Sequence, residues 1–463
     1  MILYLIFDKD ISLKFLLKTV FRIPKICNFR ILPLPNSFIF FRILIILINF
    51  LTYVRYSLTY IFSNKPHLIY CYIQNDALIN IDKDIIDVLI HSKHNFFYGD
   101  SLVKCHEDTW YEARPVYSRK LHHELNYFGD IFFSKIYFDN SLELLKFVFK
   151  SCNPDLFFRI DKAIGIRESF LLDAYGVPVL FDKFRLKNAI AINSCDNNSD
   201  PVSIIIPTAF KSKIGYGIQN CLKSIYEIFQ DRVFEIILVF HYSNQSGFDE
   251  LKSFFSSKDN LFSETYQFDF NFSAVVNKAV ARSSYDRLLI LNDDILISST
   301  SDLGHLLCHL SENSRVGCVG VKITDHENRL KHAGIIFSNG APENFLNGSS
   351  QKFMRLAHDV CREVTGITGA LILTSKSVFN ELNGLDENFP LDYNDVDYML
   401  RLREKNYEVI FCSKFNAMHF ESMSRGESPL DKLENDLVHL RSKHNHIPLR
   451  DSYLFTPATR LNN

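Results

Sequence analysis

The sequence predicts an α/β protein whose C-terminal half is built on a parallel sheet, and three observations carry that expectation. Val202 to Ile206 is an unbroken apolar run rich in β-branched residues and stopped by Pro207, the pattern of a strand buried on both faces. A helical spacing of apolar residues (Ile218, Cys221, Leu222, Ile225) follows and leads into a second apolar run, Glu235 to Val239. Strand, helix and strand at this separation make a βαβ crossover, which keeps the two strands parallel.

The alternation continues along the chain. A helix is expected over Ala274 to Ala281, and strands over Arg287 to Leu291, Gly317 to Val321 and Glu408 to Cys412. Ahead of them, the stretch Asn193 to Pro201 is rich in residues that favour turns and reads as a linker, 193–201. An internal echo crosses it. Ile290-Leu291-Asn292-Asp293-Asp294-Ile295-Leu296-Ile297, followed by Gly320-Val321-Lys322-Ile323-Thr324-Asp325, resembles Tyr72-Ile73-Gln74-Asn75-Asp76-Ala77-Leu78-Ile79 followed by Gly99-Asp100-Ser101-Leu102-Val103. The first half reads as a worn copy of the second. The expected division is a basic, apolar segment 1–60, the copy 61–192, the linker, a main domain 202–430 and a tail 431–463.

Composition narrows the classes of function. The 463 residues are 47% hydrophobic and 22% charged, which excludes a disordered chain. A net charge of −2 supplies no basic field for nucleic acid, so no nucleic-acid partner is expected. Ten cysteines, at 27, 71, 105, 152, 195, 221, 308, 318, 361 and 412, include no CxxC pair and no Cys/His spacing typical of zinc. They read as reduced, mostly buried thiols of a cytoplasmic protein.

Within residues 1–60, Lys9, Lys14, Lys18, Arg22, Lys25, Arg30, Arg42 and Arg55 face only Asp8 and Asp10, and Phe38 to Val54 is the most apolar run of the chain. At about 17 residues, interrupted by Arg42 and Asn49, it is short for a membrane span. Three readings stay open: a segment lying on the inner face of the cell membrane, a span, or a buried element of the first domain.

The chemistry-bearing residues gather at strand and helix ends. Asn292-Asp293-Asp294 follows directly on an apolar strand, where two adjacent carboxylates either hold a hard divalent cation or simply make a turn. Asn394-Asp395-Val396-Asp397 opens an amphipathic helix. With Asn394 as N-cap, Asp397 falls at N3 and answers the cap, which leaves Asp395 to project into a cleft as a general base. His419, just past the last strand, matters only if the fold brings it beside Asp294.

The ordered set Pro201 to Thr208, Phe270-Asn271-Phe272-Ser273 with Asn277, Leu291 to Asp294, Thr368-Gly369-Ala370, Ser377-Val378-Phe379, Gly384-Leu385-Asp386-Glu387, Asn394 to Asp397, and His419-Phe420-Glu421-Ser422 with Ser424-Arg425-Gly426 is similar to family 2 glycosyltransferases. Within that family it resembles the rhamnosyltransferase-like enzymes of bacterial O-antigen and capsule assembly. The resemblance covers about 201 to 430. It implies a GT-A fold for the C-terminal half, preceded by a degenerate GT-A-like half, and metal-dependent, inverting transfer of a sugar from a nucleotide-sugar donor to a glycan or polyprenyl-linked glycan. It further implies that Asp293, Asp294 and His419 hold Mn²⁺ or Mg²⁺ and that Asp395 is the catalytic base. Pro207, Thr208, Asn277, Asn292 and Asp293 would lie on the donor, and Gly369, Asp386, Asn394 and Glu421 on the acceptor side.

The sequence also departs from the family. Phe240-His241-Tyr242 stands where an aspartate usually holds the base or ribose, Asn394 replaces a glutamate, and Phe420 occupies a position where a second histidine is common. Tyr98-Gly99-Asp100 and Phe158 to Ala163 resemble the acceptor side of the same fold, while the first strands of that half are not recognisable and Asp76 alone is left of its acidic pair. The competing reading is a carbohydrate-binding scaffold made of two worn transferase domains. A membrane polymerase is disfavoured because nothing after residue 63 reads as a span.

Overall fold

A computed structural model describes residues 2–7, 28–31, 68–73, 78–79, 83–93, 95–105, 108–113, 131–135, 157–168, 200–210, 217–312, 315–338, 340–351, 358–420, 430–444 and 456–460. The chain divides into two units, Met1–Ala189 with Leu454–Asn463, and Ile190–Tyr453.

In the first unit, β1 (Ile2–Phe7) lies parallel to both β2 (Asn28–Ile31) and β3 (Leu68–Ile73). Next come β4 (Leu78–Ile79), α1 (Lys83–His91), β5 (Phe96–Cys105), β6 (Asp108–Ala113), β7 (Ile131–Ser134) and β8 (Phe157–Glu168). The apolar run 38–54 lies outside the described residues, and no described helix is long and apolar enough to cross a membrane.

In the second unit, β9 (Val202–Pro207), α2 (Ile218–Ile228), β10 (Phe234–His241), α3 (Gln245–Phe254), β11 (Leu261–Tyr266), α4 (Phe272–Arg282) and β12 (Arg287–Leu291) alternate, and the four strands are parallel in the order β11-β10-β9-β12. Every residue of β9 and β12 is buried, as strands covered by helices on both faces require. Local capping sets the helix starts: Asn271 accepts from the Ala274 amide at the head of α4, 3.0 Å away.

The remainder is β13 (Ile295–Ile297), α5 (Leu303–Glu312), β14 (Val316–Thr324), β15 (Leu330–His332), the hairpin β16 (Ile335–Ser338) with β17 (Ala341–Asn344), β18 (Arg362–Glu363), β19 (Leu371–Ser375), α6 (Lys376–Glu381), α7 (Asn394–Glu404), β20 (Glu408–His419) and α8 (Leu430–Lys443). β19 and β14 extend the sheet antiparallel, β20 runs parallel to β14, and β13 closes it antiparallel to β20. One further strand, β21 (Thr456–Arg460), returns to β6 of the first unit.

The sequence echo is a repeat of topology. The path β2-β1-β3-β7-β5-β8-β4 reproduces β10-β9-β12-β19-β14-β20-β13 strand for strand and with the same senses. Even the irregularity recurs. In β20 the partner of Val321 is Cys412 and that of Lys322 is Asn416; in β8, Gly99 pairs with Ile160, Asp100 with Ala163 and Ser101 with Gly165. Ile79 opposite Gly165 therefore matches Ile297 opposite Ala417, and counting back three residues from each reaches Asp76 and Asp294. The copy takes its first two strands from within residues 1–60.

Several expectations are corrected. The last strand continues past Cys412 to His419. Helix α7 is capped by Tyr393, in a left-handed conformation (φ 59°) with no side-chain cap bond, so Asn394 lies inside the helix and its amide bonds the Leu391 carbonyl instead. Asp397 is not a capping residue either. It is wholly buried and meets Arg401 Nε at 2.8 Å, Lys443 Nζ at 2.6 Å and His444 Nε2 at 2.9 Å. Residues 431–444, read as part of a tail from the sequence, supply two of those partners, and Leu440 of α8 is buried in an apolar cluster with Ile335, Phe337, Phe389 and Val396.

Burial pulls the Asp397 carboxyl upward, but the His444 bond, the Arg401 charge and Lys443 outweigh it and hold it at about 2. Burial likewise opposes charge on His444, and the bonds to Asp397 and Glu404 override it and raise its pKa. Removing one member of a buried ionic cluster costs about 3 to 5 kcal/mol, against about 1 for a lost cap. Urea unfolding of Asp397→Asn should show the larger loss. The Asp397 contribution should be complete above the ordinary aspartate value of about 4 and vanish as pH falls toward about 2. That of His444 should be complete below its ordinary value of about 6.5 and vanish as pH rises through its raised one.

Candidate active site

The C-terminal end of β12 delivers Asn292-Asp293-Asp294 into a tight connection before β13, closed by the Ile295 amide on the Asn292 carbonyl. Both carboxylates are buried, 7% exposed each, which is costly for charge unless a partner is near. Asp293 Oδ2 accepts from Thr208 Oγ1 at 2.6 Å, tying the acidic loop to the loop after β9. Asp294 Oδ1 has no hydrogen bond among the described residues, and His419 Nε2 lies 3.0 Å from it. His419 Nε2 is also 3.3 Å from Asn292 Nδ2. The condition set for His419 is met: β13 pairs Ile295 with His419, and the Phe420 amide bonds the Asp294 carbonyl. Burial, with the charges of Asp293 and Asp294, pushes the Cys221 thiol well up.

A second carboxylate arrives from another direction. Asp395, in the first turn of α7, accepts from the Gly369 amide through Oδ2 at 2.6 Å and from Val396 through Oδ1 at 2.8 Å. Gly369 adjoins Ala370, whose carbonyl receives the Asn292 amide at 3.0 Å. Residues 369–370 thus join the two acidic groups. A Cβ on Gly369 would meet Asp395 Cβ at 3.3 Å, so a larger residue there would require Asp395 to shift by a few tenths of an ångström. Desolvation raises the Asp395 pKa despite the amides of Gly369 and Val396 that favour its charge. The left-handed Tyr393 just ahead costs on the order of 1 kcal/mol or more and aims the helix at this spot.

The other residues expected in the site divide. Pro207 and Thr208 end β9 beside the acidic loop. Asn277, expected on the donor, instead brackets the 384–387 loop: it donates to the Leu385 carbonyl and to Glu387, and accepts from the Leu385 amide. Asp386, expected on the acceptor side, is ion-paired to Lys443. Asn394 is 4% exposed and turned into its own loop, and Glu421 lies outside the described residues.

Two groups escaped the sequence reading. His332 is buried and neutral, its pKa lowered to about 4 mainly by desolvation, and its Nε2 accepts from the Gly334 and Thr368 amides, anchoring the turn before Gly369. At the ends of β10 and β11, where an aspartate is missing, aromatic rings gather: His241 and Tyr242 lie 4.6 Å apart, His241 and Tyr266 5.5 Å, and Tyr266 and Phe268 5.0 Å. Tyr242, Phe268 and Phe270 are exposed. The absence of zinc-type spacing is also corrected, because His305, His309, Cys361 and Cys412 converge with their ligand atoms all within 4.8 Å of one another. His-x3-His on a helix was the signal available in the sequence.

No family model matches the chain. It is 28% identical over 236 residues to a protein named O-antigen biosynthesis protein RfbC of Myxococcus xanthus, covering 48% of this chain and 18% of that protein. It is 28% identical over 163 residues to the uncharacterized protein y4gI of Sinorhizobium fredii, covering 34% of this chain and 18% of that one. The chain thus matches less than a fifth of the length of each relative. Among solved structures it is similar to GalNAc-T7 with UDP, GalNAc and Mn²⁺ (TM-score 0.41, 13% identity, 53% of this chain and 48% of that one) and to TarS 1-349 of S. aureus (TM-score 0.34, 14% identity, 48% and 60%). The similarity to the O-antigen protein agrees with the resemblance carried by residues 201–430.

The environments of Asp395 and Asp397 order their titrations. In carboxyl-carbon NMR, Asp395 should titrate above the ordinary aspartate value and Asp397 near 2. The reverse order would exchange their roles.

Proposed function

We propose that the second unit is an inverting, metal-dependent glycosyltransferase that moves a sugar from a nucleotide-sugar donor to a glycan or polyprenyl-linked glycan of a cell-surface polysaccharide. The observation that carries this reading is the meeting, across residues 369–370, of a buried acidic pair at a strand's C-terminal end with a separate carboxylate whose pKa is raised.

The donor set of Asp293, Asp294 and His419 fits a divalent cation such as Mn²⁺ or Mg²⁺: oxygen ligands dominate, one imidazole adds to them, and Asp294 Oδ1 is buried without a hydrogen bond. Such a cation would supply positive charge beside the departing diphosphate. The chain's own residues do the rest. Asp395 accepts the proton of the acceptor hydroxyl as that oxygen bonds to the anomeric carbon, and the bonding pair of the old C–O bond leaves with the nucleoside diphosphate. A raised pKa makes Asp395 a stronger base than an ordinary aspartate. Thr208 holds Asp293 in place, and the Gly369 amide fixes the Asp395 rotamer. The exposed aromatic rim at 241–242 and 266–270 would offer a nucleobase a stacking surface in place of the missing aspartate.

Asp395→Asn should lower kcat by about 10² to 10⁴, roughly 3 to 5 kcal/mol of barrier, with donor Kd moving less than about threefold. Asp294→Ala should abolish Mn²⁺-dependent donor binding, read by thermal shift. The rate should rise with pH through the raised Asp395 pKa and level off above it, since the base works deprotonated. If neither variant alters turnover of any nucleotide sugar, the carbohydrate-binding scaffold is the better reading.

A further inference from the structure

The cluster at His305, His309, Cys361 and Cys412 lies outside the proposed transfer chemistry, and three elements build it. His305 and His309 are four residues apart on α5, so both rings leave one face of that helix. β18 pairs antiparallel with β20, Arg362 opposite Phe411, and continuing that register by one residue sets Cys361 against Cys412. The four ligand atoms, two imidazole nitrogens and two sulfurs, all lie within 4.8 Å of one another. His309, Cys361 and Cys412 are at most 1% exposed, and His305 is half-buried.

We infer that His305, His309, Cys361 and Cys412 form a closed, structural Zn²⁺ site that fastens α5 to β20. Two thiolates and two imidazoles are a ligand set that selects zinc over the hard cations suited to Asp294. Tetrahedral bonds of about 2.3 Å to sulfur and about 2.0 Å to nitrogen place neighbouring ligand atoms about 3.3 to 3.8 Å apart. Cys412 Sγ and His305 Nδ1 are already 3.7 Å apart. The spread of 4.8 Å contracts by about 1 Å with small rotamer changes. A second shell is present: the Ser413 amide points at Cys361 Sγ, 3.4 Å away, a bond that favours thiolate. Four protein ligands leave no open position, so the role is stability and not catalysis. Binding releases the two thiol protons to solvent and changes no oxidation state.

The test uses full-length protein purified under reducing conditions and, if metal-free, reconstituted with ZnSO₄. Elemental analysis should give about one zinc per chain, and X-ray absorption at the zinc edge a shell of two sulfurs at about 2.3 Å and two nitrogens at about 2.0 to 2.1 Å. Co²⁺ in place of zinc should give tetrahedral d–d bands and thiolate charge transfer. Cys361→Ser and Cys412→Ser should lose the metal, whereas Asp294→Ala should keep it, which separates this site from the transferase reading. If those cysteine variants do not fold, the absorption spectrum of the wild-type protein decides alone. No zinc after reconstitution, a shell without sulfur, or a Cys361–Cys412 disulfide in the purified protein would overturn the inference.

Discussion

Ile295 opposite His419, Leu296 opposite Met418 and Ile297 opposite Ala417 are three backbone pairs on which the rest of the site depends. They hold a short strand that would be a loose turn on its own and bring an imidazole 127 residues away against the acidic loop. Side chains in a strand alternate with period two, so a slip of one residue would send His419 to the opposite face, away from Asp294. The register is itself set further upstream. β20 passes between β14 and β13, and the irregularity between Val321 and Lys322 inserts residues 413–415, which determines how far the strand has advanced when it reaches Asp294.

Two carboxylates two residues apart on α7 end in opposite electrostatic states. Asp395 is partly buried, and the backbone amides that bond it do not offset the lost hydration. Asp397 faces Arg401, Lys443 and His444, whose charge overcomes deeper burial. Helical geometry separates them, since residues two apart point away from one another. In the proposed mechanism the first serves as base, while the second joins α8 to α7. The chemistry and the anchoring share a helix without sharing a partner.

The repeat gives the same sheet path two different fates. In the second unit the path ends in an acidic pair and a histidine; in the first, the matching positions are Asn75, Asp76 and Arg167. Buried hydroxyls persist in both, Ser134 and Thr374, each opposite the strand that carries Phe96 or Cys318. A buried hydroxyl inside the sheet and one aspartate at its rim recur, while the second carboxylate and the histidine are replaced by Asn75 and Arg167. This fits the view that a fold is maintained by its core, whereas function resides in a few rim residues.

Local physics was legible in the sequence. A β-branched run announced β9, an apolar run announced β12, the 3.6-residue spacing announced α2, and Asn292-Asp293-Asp294 could be placed at a strand's end without coordinates, as could Asp395 at a helix start. Each depends on neighbours within about one turn or one strand. What the sequence alone left undetermined depends on pairs far apart along the chain. His419 reaches Asp294, Lys443 and His444 reach Asp397, and Cys361 reaches Cys412 only once β20 and α8 have settled. Asn277, Asp386 and Asn394 were given site roles by the resemblance alone, and only the fold shows that they also bond a loop or a cation. Sequence fixes which groups are available and the periodicity that turns them inward; tertiary structure decides which meet, because a carboxylate's charge and role follow from the partners within a few ångströms.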